Sequence, residues 1–201
     1  MCFLMYSSRP GLLIGFHGCD ESVRDDIVSG RKNMVSSKND YDWLGKGYYF
    51  WENNFERALD FANNPPGKTK ITKPSVLGAV IDLQSCLDLL DTDYLRLVQY
   101  SYQSLELTAS KFELELPVNR SGKGTKDLVL RNLDCAVIEN LHSIQQVNNF
   151  RPFDSARGVF VEGAELYPGA GFHEKNHIQI CIRNPNCIKG FFIPREEVDW
   201  I

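Results

Sequence analysis

Residues 41–62, YDWLGKGYYFWENNFERALDFA, decide how the rest of the chain is read. Gly45 and Gly47 bracket Lys46, so the backbone there can bend sharply or let another group approach closely. Tyr48, Tyr49, Phe50 and Trp51 follow as a run of rings with strong strand preference. Asn53, with Glu56 three residues on, has the pattern of a capping box, and Phe55, Ala58, Leu59 and Ala62 recur at helical spacing on one face. The stretch predicts a glycine loop, a short aromatic strand and a capped helix. A strand that ends in rings and feeds a helix N-terminus suits a ligand with a planar ring and a phosphate. The same pattern also describes a core strand that is merely aromatic, and the stretch alone does not separate the two.

The chain has 201 residues, 43% hydrophobic and 24% charged, as in an ordinary globular protein, with enough length for one sizeable core. A formal net charge of -4 argues against a protein that coats nucleic acid indiscriminately, while leaving room for a local basic site. No apolar run reaches the length of a membrane span. The opening MCFLMYSSRPGLLIGF is apolar but lacks a basic leading region, and Pro10 and Gly11 break it, so it reads as mature protein rather than a signal peptide. Cys2, Cys19, Cys86, Cys135, Cys181 and Cys187 form no CxxC pair and no zinc spacing with a histidine. Free thiols in a reducing cytosol are expected, with no metal and a cytoplasmic location.

N-terminal to the central stretch, residues 12–17 (LLIGFH) read as a buried strand leading to His17-Gly18. Asp20 can cap a short helix carrying Val23, Arg24, Ile27 and Val28, which Gly30 closes, and residues 36–42 form a polar loop. On the C-terminal side, 63–74 (NNPPGKTKITKP) is a linker, and 75–83 (SVLGAVIDL) is a fully buried strand in which Gly78 permits close backbone contact. A helix begins at Asp91, with Tyr94, Val98, Tyr102 and Leu105 along it; 112–119 is ambiguous and 120–124 is a turn. Thr125 is expected to cap a longer core-packing helix with Leu130, Leu133, Val137, Leu141 and Ile144 on one face. Strands follow at 158–161 (GVFV), 177–183 (HIQICIR) and 188–193 (IKGFFI), with a glycine-containing loop at 164–176. Strands at both ends with helices between predict a mixed α+β fold, 1–201 forming a single domain.

Three pieces then line up: His17-Gly18 after a strand, Gly45-x-Gly47-x-Tyr49-Phe50 before a helix, and the late strand around Gln179 followed by an aromatic strand. Their order and spacing resemble the ADP-ribosyltransferase catalytic domain of the poly(ADP-ribose) polymerase and diphtheria-toxin branch. The resemblance covers about residues 12–83 and 158–193, with Leu77-Gly78-Ala79-Val80 where that family has a similar core strand. It implies split antiparallel sheets with flanking helices, a helical insertion at about 84–157, and NAD as co-substrate. That family carries a His, a Tyr and usually a Glu on separate strands that grip NAD. By this resemblance His17 would hydrogen-bond the adenine-side ribose, the Gly18 backbone would bind the nicotinamide carboxamide, and Tyr49 would stack on the nicotinamide ring, with Tyr48 and Phe61 as further contacts. An electron-poor pyridinium suits an aromatic face. Taken alone, His17 reads as a satisfied core histidine at a strand end.

The departures bear on the chemistry. The family's second stacking tyrosine falls at Asp60, with Phe61 the nearest ring; its carboxamide-binding serine falls at Arg57; its catalytic glutamate falls at Gln179. A glutamine can hold a hydroxyl through its carbonyl oxygen but supplies no charge. Cleavage of the nicotinamide–ribose bond spreads positive charge over the sugar, as in glycoside hydrolysis, so a preset carboxylate is wanted. Glu174, five residues before Gln179, is the first choice and Glu162 and Glu165 the others; each also reads as a solvated loop residue. His177 and Gln179 share a strand face and can orient ribose and acceptor together, while His173 reads as a loop residue.

Without the glutamate, the resemblance implies single-unit transfer or none. It points to a mono-ADP-ribosyltransferase acting on a protein or nucleic-acid acceptor, by analogy a toxin or antiviral-defence effector restrained by an antitoxin or inhibitor protein. Lys68, Lys70 and Lys73, or Arg120, Lys123 and Lys126, offer a basic rim for RNA or DNA, or only solvated surface. An NAD glycohydrolase and a non-catalytic module that binds NAD or ADP-ribose are the alternatives.

Overall fold

A sheet built from both ends of the chain positions every other element. The structure, a computed structural model, describes residues 11–65, 67, 70–122 and 124–200, so the expectations for Cys2, Lys68 and Lys123 lie outside it. In chain order the elements are β1 Leu13–Asp20, α1 Glu21–Val28, β2 Tyr48–Glu52, α2 Phe55–Asn63, β3 Pro74–Ile81, β4 Cys86–Asp88 and α3 Thr92–Lys111. There follow β5 Asn119–Arg120, β6 Leu130–Arg131, α4 Asn132–Val147, β7 Ser155–Phe160, β8 His177–Ile182 and β9 Ile188–Phe192. Seven strands form one mixed sheet in the order β4-β7-β8-β2-β1-β3-β9, in which only the β4–β7 pair is parallel. The α+β class read from the sequence is what the chain adopts.

The joint between β1 and β2 is the sheet's narrowest. β1 meets β3 along its whole length, from Leu13↔Ile81 to Asp20↔Pro74, but meets β2 only at Gly15↔Glu52 and Phe16↔Trp51. The expected split pair of sheets is therefore one continuous sheet, joined through two residue pairs. Beyond them the ladder stops, and His17 Nδ1–H donates to the Tyr49 carbonyl oxygen at 2.9 Å. A side chain bridges the seam where the backbones no longer pair.

Residues directly paired across a ladder share a face. One face carries Phe16, Gly18, Tyr49, Trp51, Gln179, Cys181, Ala156 and Gly158. Helix α2 covers its β1–β3 half, with Ala58 against Trp51 and Val76, and Phe16 packed beside them. A Cβ on Gly18 would lie 2.1 Å from the Ala58 carbonyl oxygen, so this glycine lets the helix backbone sit on the strand. Helices α3 and α4 cover the β7–β4 half, where Tyr94, Ile138 and Leu141 pack on Leu87, Ala156 and Cys181. On the opposite face α1 lays Ile27 against Cys19 and Leu77, and Phe50, Ile180 and Ile182 are fully buried beside them. Cys19, Cys135, Cys181 and Cys187 are free and buried, and Cys86 is buried as well.

Several boundaries move from where the sequence puts them. The cap of α2 is Asn54, not Asn53: Asn53 takes φ +45° to turn the chain out of β2, and the Asn54 side chain accepts from Arg57 N at 3.0 Å. Glu56 thus falls one position short of a capping-box partner. Thr125 does not cap α4; its hydroxyl donates to Asp127 at 2.9 Å, and Leu130 lies in β6 before the helix begins. The cap comes from far along the chain, since Asn119 Oδ1 accepts from Leu133 N at 2.9 Å and Asp134 N at 3.2 Å. The 84–157 segment is not simply helical. Its β4 joins the main sheet, and the β7 strand within its end starts at Ser155 rather than at Gly158.

On the α1 face, Arg157 is 4% exposed and ties three strands together. Its guanidinium forks onto Glu52 of β2 and reaches Asp88 of β4 at 3.2 Å. Burial alone would lower the arginine pKa, but the two carboxylates more than offset it and the net shift is upward. Arg157→Ala would leave two carboxylates without their cation and should lower stability by about 3–5 kcal/mol in urea unfolding. A loss below about 1 kcal/mol would contradict this account of the triad.

Candidate functional site

Between the two helical groups, the β2–β8 strip of the sheet is roofed by loops. Here Trp51 pairs with Gln179, Tyr49 with Cys181, and His177 with Phe160 of β7. Trp43, from the glycine loop, packs against β7: a Cβ on Gly158 would come within 2.8 Å of its ring. Its indole N–H donates to Gln179 Oε1 at 2.7 Å. Rings then run in a row. Trp43 meets Phe160 at 5.4 Å between centroids, Phe160 stacks on His177 at 5.3 Å, His177 meets Trp51 at 6.2 Å, and Trp51 meets Phe61 of α2 at 5.2 Å. The Arg131 guanidinium sits 4.4 Å from the Phe160 centroid and 5.0 Å from that of Trp43, a cation shared by two rings.

A charged bridge closes the α2 side. Arg57 donates to Asp60 at 2.7 Å and to Glu162 at 2.9 Å, and Lys175 donates to Asp60 at 3.0 Å. Helix α2 is thereby fastened to the long β7–β8 connection, with the guanidinium 5.8 Å from the Trp51 centroid. Arg57 and Asp60 are the positions where the resemblance expects a serine and a tyrosine.

Beneath this bridge lie three buried polar atoms without a hydrogen-bond partner: Trp51 Nε1, Arg57 Nε and His177 Nε2. Each such group costs about 1–3 kcal/mol, which native structures tolerate where something else is to be gained. His177 Nδ1–H donates to the Lys175 carbonyl at 2.6 Å, which leaves Nε2 as a bare acceptor. Burial pushes the His177 pKa down to about 4, with the Lys175 carbonyl bond working against it.

The glycine loop is held from two sides. The Tyr49 hydroxyl donates to the Gly45 carbonyl at 2.7 Å and accepts from Leu44 N at 3.0 Å. Glu139 of α4 accepts from Lys46 N at 2.8 Å and from Arg183 at 2.9 Å. Gly45 has φ +82°, and a Cβ on Gly47 would lie 2.5 Å from the Ile182 carbonyl oxygen, so both glycines are required by the backbone itself. Between this loop and the start of α4 is a separate cavity of about 410 Å³, lined by Asp40, Lys46, Asn132, Cys135 and Glu139.

Against the sequence expectations, Tyr49 and Gln179 share one face, on adjacent strands and two residues apart in register. His17 lies on the other face with Leu77 and reaches the site only through the Tyr49 backbone. Gly18 faces α2. Tyr48 packs on the opposite face with Leu13 and Met34, and Phe61 joins the ring row. Of the three loop carboxylates, Glu162 reaches the strip through Arg57. Glu174 accepts from Ala164 N at 3.4 Å and Glu165 from Gly169 N at 2.9 Å, so both brace their own loop, as does His173 on the Gly163 carbonyl at 2.9 Å. Lys73 pairs with Glu21 at 3.3 Å, while Lys70, Arg120 and Lys126 are exposed. Trp43, Trp51, Arg131 and Phe160 were not singled out from the sequence as site residues. Two of these are tryptophans inside residues 41–62, the one local signal available for them. Among the described residues, no group of three or more His, Cys, Asp or Glu could hold a metal ion, and no helix is long and apolar enough to cross a membrane.

No protein-family model matches the chain, and no solved structure matches it. It is similar to a curated relative, the uncharacterized protein MJ0359 of Methanocaldococcus jannaschii, with 22% identity over 194 residues that cover 87% of this chain and 83% of the relative.

His142 of α4, like His177, is buried and has its pKa lowered to about 4, chiefly by burial. Both are neutral in the folded protein near neutral pH, whereas in the unfolded chain they take up protons near 6.5. Stability from this source is full above about pH 6.5 and falls as the pH drops toward 4, by about 3 kcal/mol per histidine at the lower end. His142→Leu and His177→Phe should each flatten the fall in urea midpoint between these limits. Parallel pH profiles for both variants and the parent would contradict it.

Proposed function

We propose that the chain is an NAD-dependent mono-ADP-ribosyltransferase that acts on a macromolecular acceptor. The observation that carries this reading is spatial. The three segments behind the resemblance, remote in sequence, lie on neighbouring strands β1, β2 and β8, and the His17 imidazole ties the first to the Tyr49 backbone of the second.

The residues present fit parts of such a dinucleotide. Trp51, Phe61 and Tyr49 offer ring faces; the Tyr49 hydroxyl is committed to the loop, so it contributes its ring alone. Arg131 offers charge to a pyrophosphate. NAD supplies the bond to be broken, between nicotinamide and ribose. Gln179 holds its carbonyl oxygen against Trp43, which leaves its N–H2 to donate to a ribose hydroxyl. Glu162 is the loop carboxylate that reaches the strip, and within it negative charge would favour the developing positive charge on the sugar.

The acceptor, whether protein, RNA or DNA, stays open in this reading. A toxin or defence role in the cytoplasm, with a restraining antitoxin or inhibitor protein, goes with it by analogy only. One observation favours a second reading, a non-catalytic module that binds NAD or ADP-ribose: the β8 strand carries a glutamine where a carboxylate would be wanted, and its oxygen is already bonded.

Labelled NAD incubated with the protein and a cell lysate, then split between protease and nuclease, tests the proposal. Label should remain on a macromolecule in one arm, whereas nicotinamide release without label would mean a glycohydrolase. Gln179→Glu keeps an acceptor for Trp43 and adds the missing charge, so nicotinamide release should rise about tenfold or more. Binding of an NAD analogue with no release from either form would establish the binding module instead, and neither binding nor release would end the NAD reading.

A further inference from the structure

The three unpartnered atoms beneath the Arg57 bridge are complementary in kind to one chemical group. Trp51 Nε1 and Arg57 Nε each carry a hydrogen to donate, and His177 Nε2 carries a lone pair to accept one. They belong to side chains that pack on one another: the Arg57 guanidinium and the His177 ring both lie about Trp51, at 5.8 Å and 6.2 Å from its centroid. Trp51 and His177 are 5% and 6% exposed. Phe61 lies tilted against Trp51, and Phe160 stacks on His177.

We infer that this place, at the nitrogen-bearing edges of Trp51 and His177 beside the Arg57–Glu162 bridge, is a subsite for a planar amide. The amide oxygen would take the hydrogens of Trp51 Nε1 and Arg57 Nε, and the amide N–H would donate to His177 Nε2. A carboxylate would match the two donors but face the histidine lone pair with no hydrogen to offer. A hydrocarbon ring would leave all three atoms as they are now. The inference rests on the NAD reading, whose leaving group carries such an amide, and it moves amide recognition from the Gly18 backbone, which α2 packs over, to side chains of β2, α2 and β8.

The bridge also defines how the subsite opens. The three atoms are closed to solvent while Arg57 holds Glu162 and Asp60, and Lys175 holds Asp60 from the β7–β8 connection. Entry of an amide requires these ion pairs to part. Arg57–Glu162 and Lys175–Asp60 join a helix to a loop and Arg57–Asp60 lies within the helix, so all three can part without breaking the sheet.

Nicotinamide is titrated into the intact protein, with nicotinate as the carboxylate control and uridine as a second source of a planar amide edge. The readouts are calorimetry and the histidine ¹⁵N signals of uniformly labelled protein. Nicotinamide or uridine should bind and shift one histidine Nε2, which His177→Phe removes, while nicotinate binds at least about tenfold more weakly. Trp51→Phe and His177→Phe, which keep a ring in place, should each weaken amide binding about tenfold. The unsubstituted protein carries the test if either variant unfolds. No amide binding, binding without a histidine shift, or equal binding of nicotinate would each overturn the subsite. NAD cleavage that survives with no amide effect of Trp51→Phe would sink this subsite and spare the transferase; amide binding that needs Trp51 without any NAD cleavage would do the reverse.

Discussion

The short contact between β1 and β2 is the constraint on which the rest of the molecule depends. Two residue pairs join the half of the sheet built on β1 and β3 to the half built on β2, β8 and β7. Were the ladder longer, the Tyr49 carbonyl would have a backbone partner and His17 would have none across the seam. Because it stops, an imidazole can close it, and the aromatic strand is free to turn toward β8. The site face follows from that turn: Tyr49, Trp51 and Gln179 come to lie side by side.

Close backbone approach then shapes the roof over this face. Gly18 lets α2 rest on β1, Gly47 lets the start of β2 reach β8, and Gly158 lets the Trp43 ring lie on β7. Each is a place where a methyl group would push a neighbour away. The result is two helical groups seated on separate halves of one face, with a strip of rings between them. Apolar burial holds the halves, at about 25 cal/mol per Å², while the strip keeps polar atoms that the core could not accept.

Charge is distributed accordingly. On the far face, Arg157 is satisfied by Glu52 and Asp88 and ties β7 and its neighbour β4 to β2, which lies beyond β8. On the site face, Arg57 is bonded through its terminal nitrogens only, and its Nε, like the neighbouring indole and imidazole nitrogens, is left over. The first arrangement is closed and structural. The second is incomplete, with three buried polar atoms left without a partner.

By itself the sequence determined the elements whose signals are local: the β1 and β3 strands, the short helix capped by Asp20, the aromatic β2 strand and the alternating β8 strand. It did not determine the cap of α4, because Asn119 reaches that helix across space, nor the one-residue shift of the α2 cap, because Asn53 is bent by the chain's exit from the sheet. Tyr49 and Gln179 were legible as strand residues, but not that the Gln179 oxygen would be held by Trp43 or the Tyr49 hydroxyl by Gly45. Only the tertiary structure brought Arg57, Glu162 and His177 onto Trp51. Hydrophobic period and turn chemistry are written in neighbouring residues, whereas the partners of a buried polar atom are chosen by whichever strands, helices and loops fold against it.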